Sequence, residues 1–297
     1  MQTVKIITTA SLFFSLFLLD ACAMPQSPGP SADGKISVVA SFYPLAEFAR
    51  RVGGDNIIIT TIISAGTEPH DFEPTPQDIA KITTAGLFIY NGAALDPWAE
   101  KIASGLPDGN RSLNMSRALG IAGPDPHFWL DPGIAKKEGE IIRDRLIEID
   151  PAHAQDYRQN SENYSAALDA LDGRFSQGLS ECETREIFTS HAAFAYMAEK
   201  YGLTQSSIAG LSPEAEPTAR QLADLVTEVK SKNIKYIFFE TLASPKLAET
   251  LAQETGARTL VLNPLEGLDV NDIKSGRDYI SIMEDNLANL KTALNCR

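Results

Sequence analysis

One segment organises the chain: Ile57-Ile-Ile-Thr-Thr-Ile-Ile63, followed after two residues by Gly66-Thr-Glu-Pro-His-Asp-Phe-Glu-Pro-Thr-Pro76. The β-branched first part is typical of a buried strand, and the second part is a loop stiffened by three prolines. His70 stands in the middle of this acidic loop. Because proline lowers the entropy lost when ligand groups are ordered, such a loop suits a cation site. Taken alone, the loop is equally compatible with a solvated acidic turn in which His70 is incidental.

The overall composition is that of an acidic globular protein. The chain has 297 residues, of which 43% are hydrophobic and 22% are charged, so it is long enough for two domains with separate cores. Its formal net charge is −13. Because nucleic-acid binding requires a basic surface, we expect no nucleic-acid partner.

The N-terminal residues 1–21 are typical of a signal peptide. Lys5 precedes the apolar stretch Ile6–Leu19, whose 14 residues are too few for a stable transmembrane helix. The stretch runs into Leu18-Leu-Asp-Ala-Cys22, which resembles a bacterial lipobox in which Cys22 is lipidated, although Asp20 is unusual there. The alternative is cleavage near Ala23 with loss of Cys22. Both interpretations predict export.

Residues 22–34 are rich in proline and serine and predict a flexible tether between the lipid anchor and the folded domain. Beyond it, strand-like and helix-like segments alternate in residues 35–150 and again in residues 181–297. The clearest strand-like runs are Ile36–Phe42, Ile57–Ile63, Leu87–Tyr90, Arg185–Thr189, Ile234–Glu240 and Arg258–Leu262. This alternation predicts an α/β fold with two lobes built on parallel strands.

A long helix is predicted between the two lobes, over residues 151–180. Its apolar residues are spaced three, four or seven apart and form one stripe: Tyr157, Tyr164, Leu168, Leu171, Phe175 and Leu179. A continuous helix from Pro151 to Leu179 would span about 40 Å. We expect it to act as a rigid strut, with His153 on its surface.

Three of the four histidines lie in loops that resemble one another. His70 follows a strand, His127 lies between two Asp-Pro pairs, and His191 ends a strand. Because ligands collect at the carboxyl ends of parallel strands, these residues are expected around a cleft between the lobes. Glu266, in the loop after the last strand, is a fourth candidate from the second lobe. Three imidazoles and one carboxylate would fill a tetrahedral Zn²⁺ site, although any one of these histidines alone is more often a satisfied, non-ligating side chain.

Two cysteines, Cys182 and Cys296, remain if Cys22 carries lipid. In an exported protein such a pair favours a disulfide, with two free buried thiols as the alternative. Neither has the CxxC spacing of a thiolate metal site.

Five segments, in this order, resemble the metal-binding solute receptors of bacterial ABC importers, the zinc/manganese class that includes ZnuA-like and TroA-like proteins. They are Gly66–Asp78, Asp125–Pro132 (Asp-Pro-His-Phe-Trp-Leu-Asp-Pro), Thr189–Tyr196, Gly210–Pro217 and Asn263–Leu268 (Asn-Pro-Leu-Glu-Gly-Leu). The resemblance implies two four-stranded lobes joined by a long backbone helix, with one metal ion between them. It also implies a non-enzymatic, monomeric receptor that delivers the ion to a permease with an ATPase subunit.

Carried over by position, the resemblance makes His70, His127 and His191 the histidine ligands. Many zinc receptors have aspartate where this chain has Asn263, and a subgroup with a similar segment uses the glutamate, which here is Glu266. Manganese-binding relatives place a carboxylate at the position of His191. Three imidazoles therefore favour zinc over manganese.

Several alternatives stay open at this point. The acidic neighbours of His70, namely Glu68, Asp71 and Glu73, either orient its ring or form a solvated rim. A manganese or iron receptor of the same type is the nearest alternative function. A zinc hydrolase would require water in place of Glu266, and a surface adhesin is a role of some relatives. A dinucleotide enzyme is disfavoured because no GxGxxG follows a strand.

Overall fold

The computed structural model describes residues 34–106, 111–214 and 217–297. The predicted signal peptide, Cys22 and most of the tether lie outside these ranges. Within them, no helix combines the length and apolar content needed to cross a bilayer.

The first lobe contains a four-stranded parallel sheet in the order β2-β1-β3-β4. Its elements are β1 (Ile36–Ala40), α1 (Tyr43–Gly53), β2 (Ile57–Thr61), α2 (Pro76–Thr84), β3 (Leu87–Tyr90), α3 (Pro97–Ala103), β4 (Ser112–Asn114), α4 (Met115–Ala118) and α5 (Pro132–Ile149). All four residues of β3 are buried, as expected for an inner strand covered by helices on both faces. Helix α2 begins at Pro76 because Thr75 and Asp78 form a capping box.

The predicted strut is present. After a single 3₁₀ turn at Pro151–His153, helix α6 runs over Ala154–Gly178, and its 25 residues span about 37 Å. The apolar stripe is buried at every predicted position: Tyr157, Tyr164, Leu168, Leu171, Phe175 and Leu179. His153 is partly exposed and contacts Asp150, with 2.6 Å between Nδ1 and Oδ2. It is a surface residue, as expected.

The second lobe repeats the strand order of the first, as β6-β5-β7-β8, again all parallel. Its elements are β5 (Glu186–Thr189), α7 (Ala195–Tyr201), β6 (Thr204–Ser207), α8 (Ala219–Ser231), β7 (Tyr236–Phe239), α9 (Lys246–Thr255), β8 (Arg258–Val261), α10 (Val270–Lys274) and α11 (Tyr279–Leu294). The α/β fold with two four-stranded sheets and a long helix is therefore confirmed. The exact domain boundaries remain predictions.

One apolar core extends from the first sheet through α5, α6 and α11 into the second lobe. Tyr279, the first residue of α11, is fully buried against Phe48 of α1, with ring centroids 5.2 Å apart. A smaller cluster lies between the second sheet and helices α8 and α9, around Phe188, Val229 and Leu251. A large opening of the lobes would break the shared core, which favours small movements.

The predicted disulfide is confirmed. Cys182 and Cys296 are bonded and join the start of the second lobe to the C-terminal end of the chain, 114 residues apart in sequence. On the loop-entropy model such a link stabilises the fold by about 4–5 kcal/mol.

Candidate metal centre

The structure brings together all four residues that the sequence predicted as ligands. His70, His127, His191 and Glu266 each offer one atom to a common point, and these atoms lie within 4.8 Å of one another. His70 comes from the loop after β2, and His127 immediately precedes a 3₁₀ turn that leads into α5. His191 follows β5, and Glu266 lies in the loop after β8. The cluster therefore lies between the lobes, with two residues from each.

Five of the six separations among the four atoms match the edges of a small tetrahedron, and the sixth, between His70 and His191, is at most 4.8 Å. Oε1 of Glu266 lies 3.2 Å from Nε2 of His70, 3.0 Å from Nε2 of His127 and 3.4 Å from Nε2 of His191. Nε2 of His127 lies 3.3 Å from the Nε2 atoms of both other histidines. A tetrahedral Zn²⁺ ion with bonds of about 2.0–2.1 Å would separate its ligand atoms by roughly 3.3 Å. The cluster thus has the size and donor set of a zinc site.

The four side chains differ in their exposure to solvent. Those of His127 and His191 are 0% exposed and that of Glu266 is 1% exposed, whereas that of His70 is 8% exposed. His70 is therefore the most solvent-accessible of the four side chains.

Two carboxylates that we did not predict orient the buried histidine rings. Nδ1 of His127 is 2.8 Å from Oδ1 of Asp125, and Nδ1 of His191 is 2.5 Å from Oε1 of Glu240. A proton held on each Nδ1 leaves the lone pair of Nε2 directed into the cluster, as in carboxylate–histidine–metal arrangements. Asp125 is only two residues before His127, and Glu240 directly follows β7. Both carboxylates could therefore have been predicted near the cluster from their positions in the sequence.

The same carboxylates control the protonation of the cluster. Burial lowers the pKa of His191, but the hydrogen bonds and charges of Glu240 and Glu266 outweigh it and raise this pKa to about 10. Burial also opposes the charged form of His127, yet Asp125 and Glu266 raise its pKa. Burial favours a neutral Glu266, whereas its three histidine partners hold its pKa well below the usual range. Protons therefore compete with a cation for the same nitrogen atoms.

The acidic residues near His70 divide into two groups. Oε2 of Glu68 accepts a hydrogen bond from the backbone N–H of His70 at 2.9 Å, so Glu68 holds the loop rather than the ring. Burial and the nearby charge of Glu266 raise the pKa of Glu68 to about 8. Asp71 and Glu73 are exposed and form the solvated rim that was the alternative interpretation.

Asn263 does not belong to the cluster. Its Oδ1 atom instead accepts a hydrogen bond from the backbone N–H of Leu265 at 2.8 Å. Glu266, and not the residue at position 263, is the carboxylate that the loop after β8 presents to the histidines.

Comparison with known proteins gives a consistent result. The family described as ZnuA, "Zinc-uptake complex component A periplasmic", matches residues 38–293. The zinc-binding lipoprotein AdcA of Streptococcus pneumoniae is 41% identical in an alignment of 302 positions, which covers 93% of this chain and 60% of AdcA. The high-affinity zinc uptake system protein ZnuA of Bacillus subtilis is 39% identical, with 94% of each chain covered. The chain thus spans about three-fifths of AdcA but nearly all of the Bacillus protein.

Solved structures support the same assignment. The Zn(II)-bound ZnuA-like domain of Streptococcus pneumoniae AdcA matches with a TM-score of 0.79 and 41% identity, covering 88% of this chain and 100% of the domain. The laminin-binding protein Lmb of Streptococcus agalactiae, described as bifunctional with adhesin and metal transporting activity, matches with a TM-score of 0.78 and 33% identity, covering 87% of this chain and 99% of Lmb. From the family match and these relatives, we conclude that this chain belongs to the ZnuA family of zinc-uptake components.

Proposed function

We propose that this chain is an extracytoplasmic receptor that captures one Zn²⁺ ion between its lobes and delivers it to an ABC permease with an ATPase subunit. His70, His127, His191 and Glu266 are the proposed ligands. The observation that carries the proposal is the convergence of three imidazole nitrogens and one carboxylate oxygen: five of their six separations are 3.0–3.4 Å, and all lie within 4.8 Å. The zinc-binding relatives support it.

The donor set favours zinc over manganese. Mn²⁺ prefers oxygen ligands and higher coordination numbers, whereas Zn²⁺ is well satisfied by imidazole nitrogen in a four-coordinate site. His191 is decisive, because it supplies a third nitrogen where an oxygen ligand would suit manganese better. Its ring is fixed by Glu240, which accepts from Nδ1 and leaves Nε2 as the donor atom. A manganese or iron receptor is therefore the less favoured alternative.

A closed ligand set also favours binding over catalysis. A hydrolytic zinc site keeps one position open for water, whereas here Glu266 supplies the fourth donor atom. Glu266 is only 1% exposed, and its Oε1 lies 3.0 Å from Nε2 of His127, so a protein oxygen already stands where a hydrolytic site would hold water. We propose that the protein performs no covalent chemistry.

We also propose that the protein is exported and anchored to the membrane. The signal-like residues 1–21, lipidation at Cys22 and the tether would hold a monomeric receptor at the outer face of the membrane. These predictions concern residues outside the described ranges. Their support is the sequence pattern together with the lipoprotein and periplasmic descriptions of relatives.

Release is proposed to involve the ligand loops more than the lobes. The shared core that includes α6 and α11 resists a wide opening. His70 is the most exposed ligand and lies on a loop whose other residues are mostly exposed or half-buried, so detaching it would leave the ion with three ligands and an open side. The permease would then compete for the freed position.

The test is metal analysis of protein purified without added metal, followed by competition between Zn²⁺ and Mn²⁺. We expect one zinc per chain and displacement of manganese by zinc. His191→Ala should lower zinc affinity by orders of magnitude, whereas His153→Ala, which removes a histidine far from the cluster, should not. Stoichiometric manganese with no bound zinc would overturn the proposal.

A further inference from the structure

The loop that carries Glu266 has an unusual backbone. Leu265, directly before Glu266, has a φ of +58° and a fully buried side chain. A branched, non-glycine residue rarely adopts this left-handed conformation unless its surroundings impose it. The conformation turns the chain sharply, so that Leu265 enters the core while the next side chain enters the metal cluster.

A pair of buried asparagines imposes this conformation. Oδ1 of Asn263 accepts from the N–H of Leu265 at 2.8 Å, which closes a short turn around Pro264. Asn263 is in turn held by Asn286 of α11, whose Oδ1 accepts from the Asn263 N–H at 2.8 Å and whose Nδ2 donates to the Asn263 carbonyl at 2.7 Å. Asn263 and Asn286 are 5% and 1% exposed, so water cannot replace these bonds.

The first lobe supports the same turn from the opposite side. Nε1 of Trp129 donates to the carbonyl oxygen of Pro264 at 2.8 Å. Trp129 is two residues after His127 and is itself fixed by Tyr279, whose hydroxyl donates to the Trp129 carbonyl at 2.6 Å. The loop is therefore held at residues 263, 264 and 265, and Glu266 follows directly from these fixed points.

We propose that Asn263 and Asn286 are positioning residues for metal binding: they hold Leu265 in its left-handed conformation and so aim Glu266 at the three histidines before an ion arrives. This asparagine clamp, Asn263 with Asn286, rests on the proposed function, because it assigns a role within the same metal site. It also gives a role to Asn263, which is not a ligand itself. Its side-chain oxygen holds the Leu265 N–H, its backbone is held by Asn286, and the ligand is supplied three residues later.

The chemistry of an amide suits each end of the clamp. Asn286 accepts from the Asn263 N–H and donates to the Asn263 carbonyl, and an amide does so with two separate atoms side by side, whereas a hydroxyl has one oxygen for both bonds. A carboxylate at this position would face the Asn263 carbonyl oxygen without a proton between them. At position 263 the requirement is only an acceptor for the Leu265 N–H, which a hydroxyl can also meet.

This difference provides a matched pair of variants for the test. Asn263→Thr keeps an oxygen acceptor, and Asn263→Val has nearly the same shape without it. Each variant is loaded with Co²⁺ in place of zinc, and its visible absorption spectrum is recorded from pH 6 to pH 9. If Glu266 leaves the metal, water takes its place, and metal-bound water in such sites ionises near pH 7. Glu266→Gln serves as the reference for a lost carboxylate ligand.

We expect the wild-type and Asn263→Thr spectra to stay constant above pH 7, and the Asn263→Val and Asn286→Leu spectra to titrate like that of Glu266→Gln. Zinc affinity should fall by about 10–100-fold in the two apolar variants. Spectra of Asn263→Val and Asn286→Leu that stay constant, with affinity equal to the wild type, would refute the clamp.

A second measurement uses the wild-type protein and so does not depend on the folding of the variants. Hydrogen exchange of the Leu265 N–H is followed in metal-free protein. Slow exchange, comparable with the metal-loaded protein, supports a clamp formed in advance, and exchange as fast as in exposed loops contradicts it. If the wild type binds no zinc at all, the proposed function fails, while this exchange measurement still tests the clamp on its own.

Discussion

The backbone N–H of Gly66 in the first lobe donates to the carbonyl oxygen of Leu268 in the second, with 2.9 Å between nitrogen and oxygen. Gly66 lies four residues before His70, and Leu268 lies two residues after Glu266. These two ligand loops are thus joined directly across the cleft, independently of any ion they share. This link is expected to slow the separation of His70 from Glu266.

Substitution of Gly66 tests that link. Gly66 has a φ of +79°, and a Cβ at this position would meet no atom of residues 34–106, 111–214 or 217–297 within 4 Å, so Gly66→Ala introduces backbone strain of about 1–2 kcal/mol without a clash there. We expect the loop to relax away from Leu268 and zinc to dissociate several-fold faster, measured by transfer to a chelator in stopped-flow experiments. Gly123→Ala is the matched control, because Gly123 is also exposed and unobstructed but has an ordinary φ. Equal dissociation rates for both variants would contradict a role for the link.

Zinc binding should depend steeply on pH. The pKa of His191 is raised to about 10 and that of His127 is raised by Asp125 and Glu266, so protons compete with a cation for these rings. We therefore expect zinc to release protons on binding and its apparent affinity to rise with pH from 6 to 9. Calorimetry in buffers of different ionisation enthalpy measures the released protons. A zinc affinity that is constant over this range would contradict the three-histidine site.

The raised pKa of His191 also determines whether the stability of the metal-free protein rises or falls with pH. A histidine whose folded pKa lies above its ordinary value stabilises the fold while it is charged, and this contribution is lost as pH rises toward the folded pKa. For His191 the window runs from about pH 6.5 to about 10. Metal-free protein should lose thermal stability across it, whereas zinc-loaded protein should not, since the ion replaces the protons.

Neutralising Glu240 should weaken zinc binding without removing a ligand. Glu240→Gln keeps the shape of the side chain but weakens the bond that fixes the ring of His191, and such changes typically cost 10–100-fold in metal affinity. Competition with a chromogenic chelator measures the loss. Asp150→Asn is the matched control, because Asp150 holds His153 in the same kind of pair, away from the cluster. If both variants bound zinc like the wild type, the orienting role of Glu240 would be excluded.

A buried acid away from the site provides a prediction about stability. Glu138 of α5 is fully buried, and neither of its oxygens has a hydrogen-bond partner among the described residues, so burial raises its pKa well above the usual value. Above about pH 4.5 the unfolded chain releases this proton while the folded chain retains it, so stability falls as pH rises. Glu138→Gln removes the effect.

We expect the advantage of Glu138→Gln over the wild type to grow by on the order of 1 kcal/mol per pH unit between pH 5 and pH 7. Urea unfolding of metal-free protein at both pH values measures it. Glu140→Gln, on the same helix and partly exposed, is the control. A constant difference between the Glu138 variant and the wild type across this range would show that Glu138 is ionised in the fold.

A feature of the structure could be predicted from the sequence when a single segment of the chain indicated it. The histidines were recognisable because each stands in a segment resembling those of known receptors, and the strand-end rule placed them at one cleft. Strand β6, by contrast, is Thr-Gln-Ser-Ser, a polar edge strand without an apolar run, and it was missed. Strand β4 has only three residues and was missed for lack of length.

Contacts between residues far apart in the sequence could not be predicted from sequence patterns. The sequence marks Asn263 as a poor ligand, but its actual role depends on Asn286, 23 residues away on α11. The left-handed conformation of Leu265 has no compositional signal, because glycine is the residue that normally indicates it. Such features follow from packing that only the folded chain brings together.

The position of α11 has a consequence for how the protein is made. Tyr279, at the start of this 16-residue helix, is buried against Phe48 of the first lobe and bonded to Trp129. The N-terminal lobe therefore cannot complete its hydrophobic interior until α11, which begins 231 residues after Phe48, is available. Folding of the two lobes should be a single cooperative event that waits for α11, and a nascent chain truncated before Tyr279 should remain accessible to proteases along its entire length.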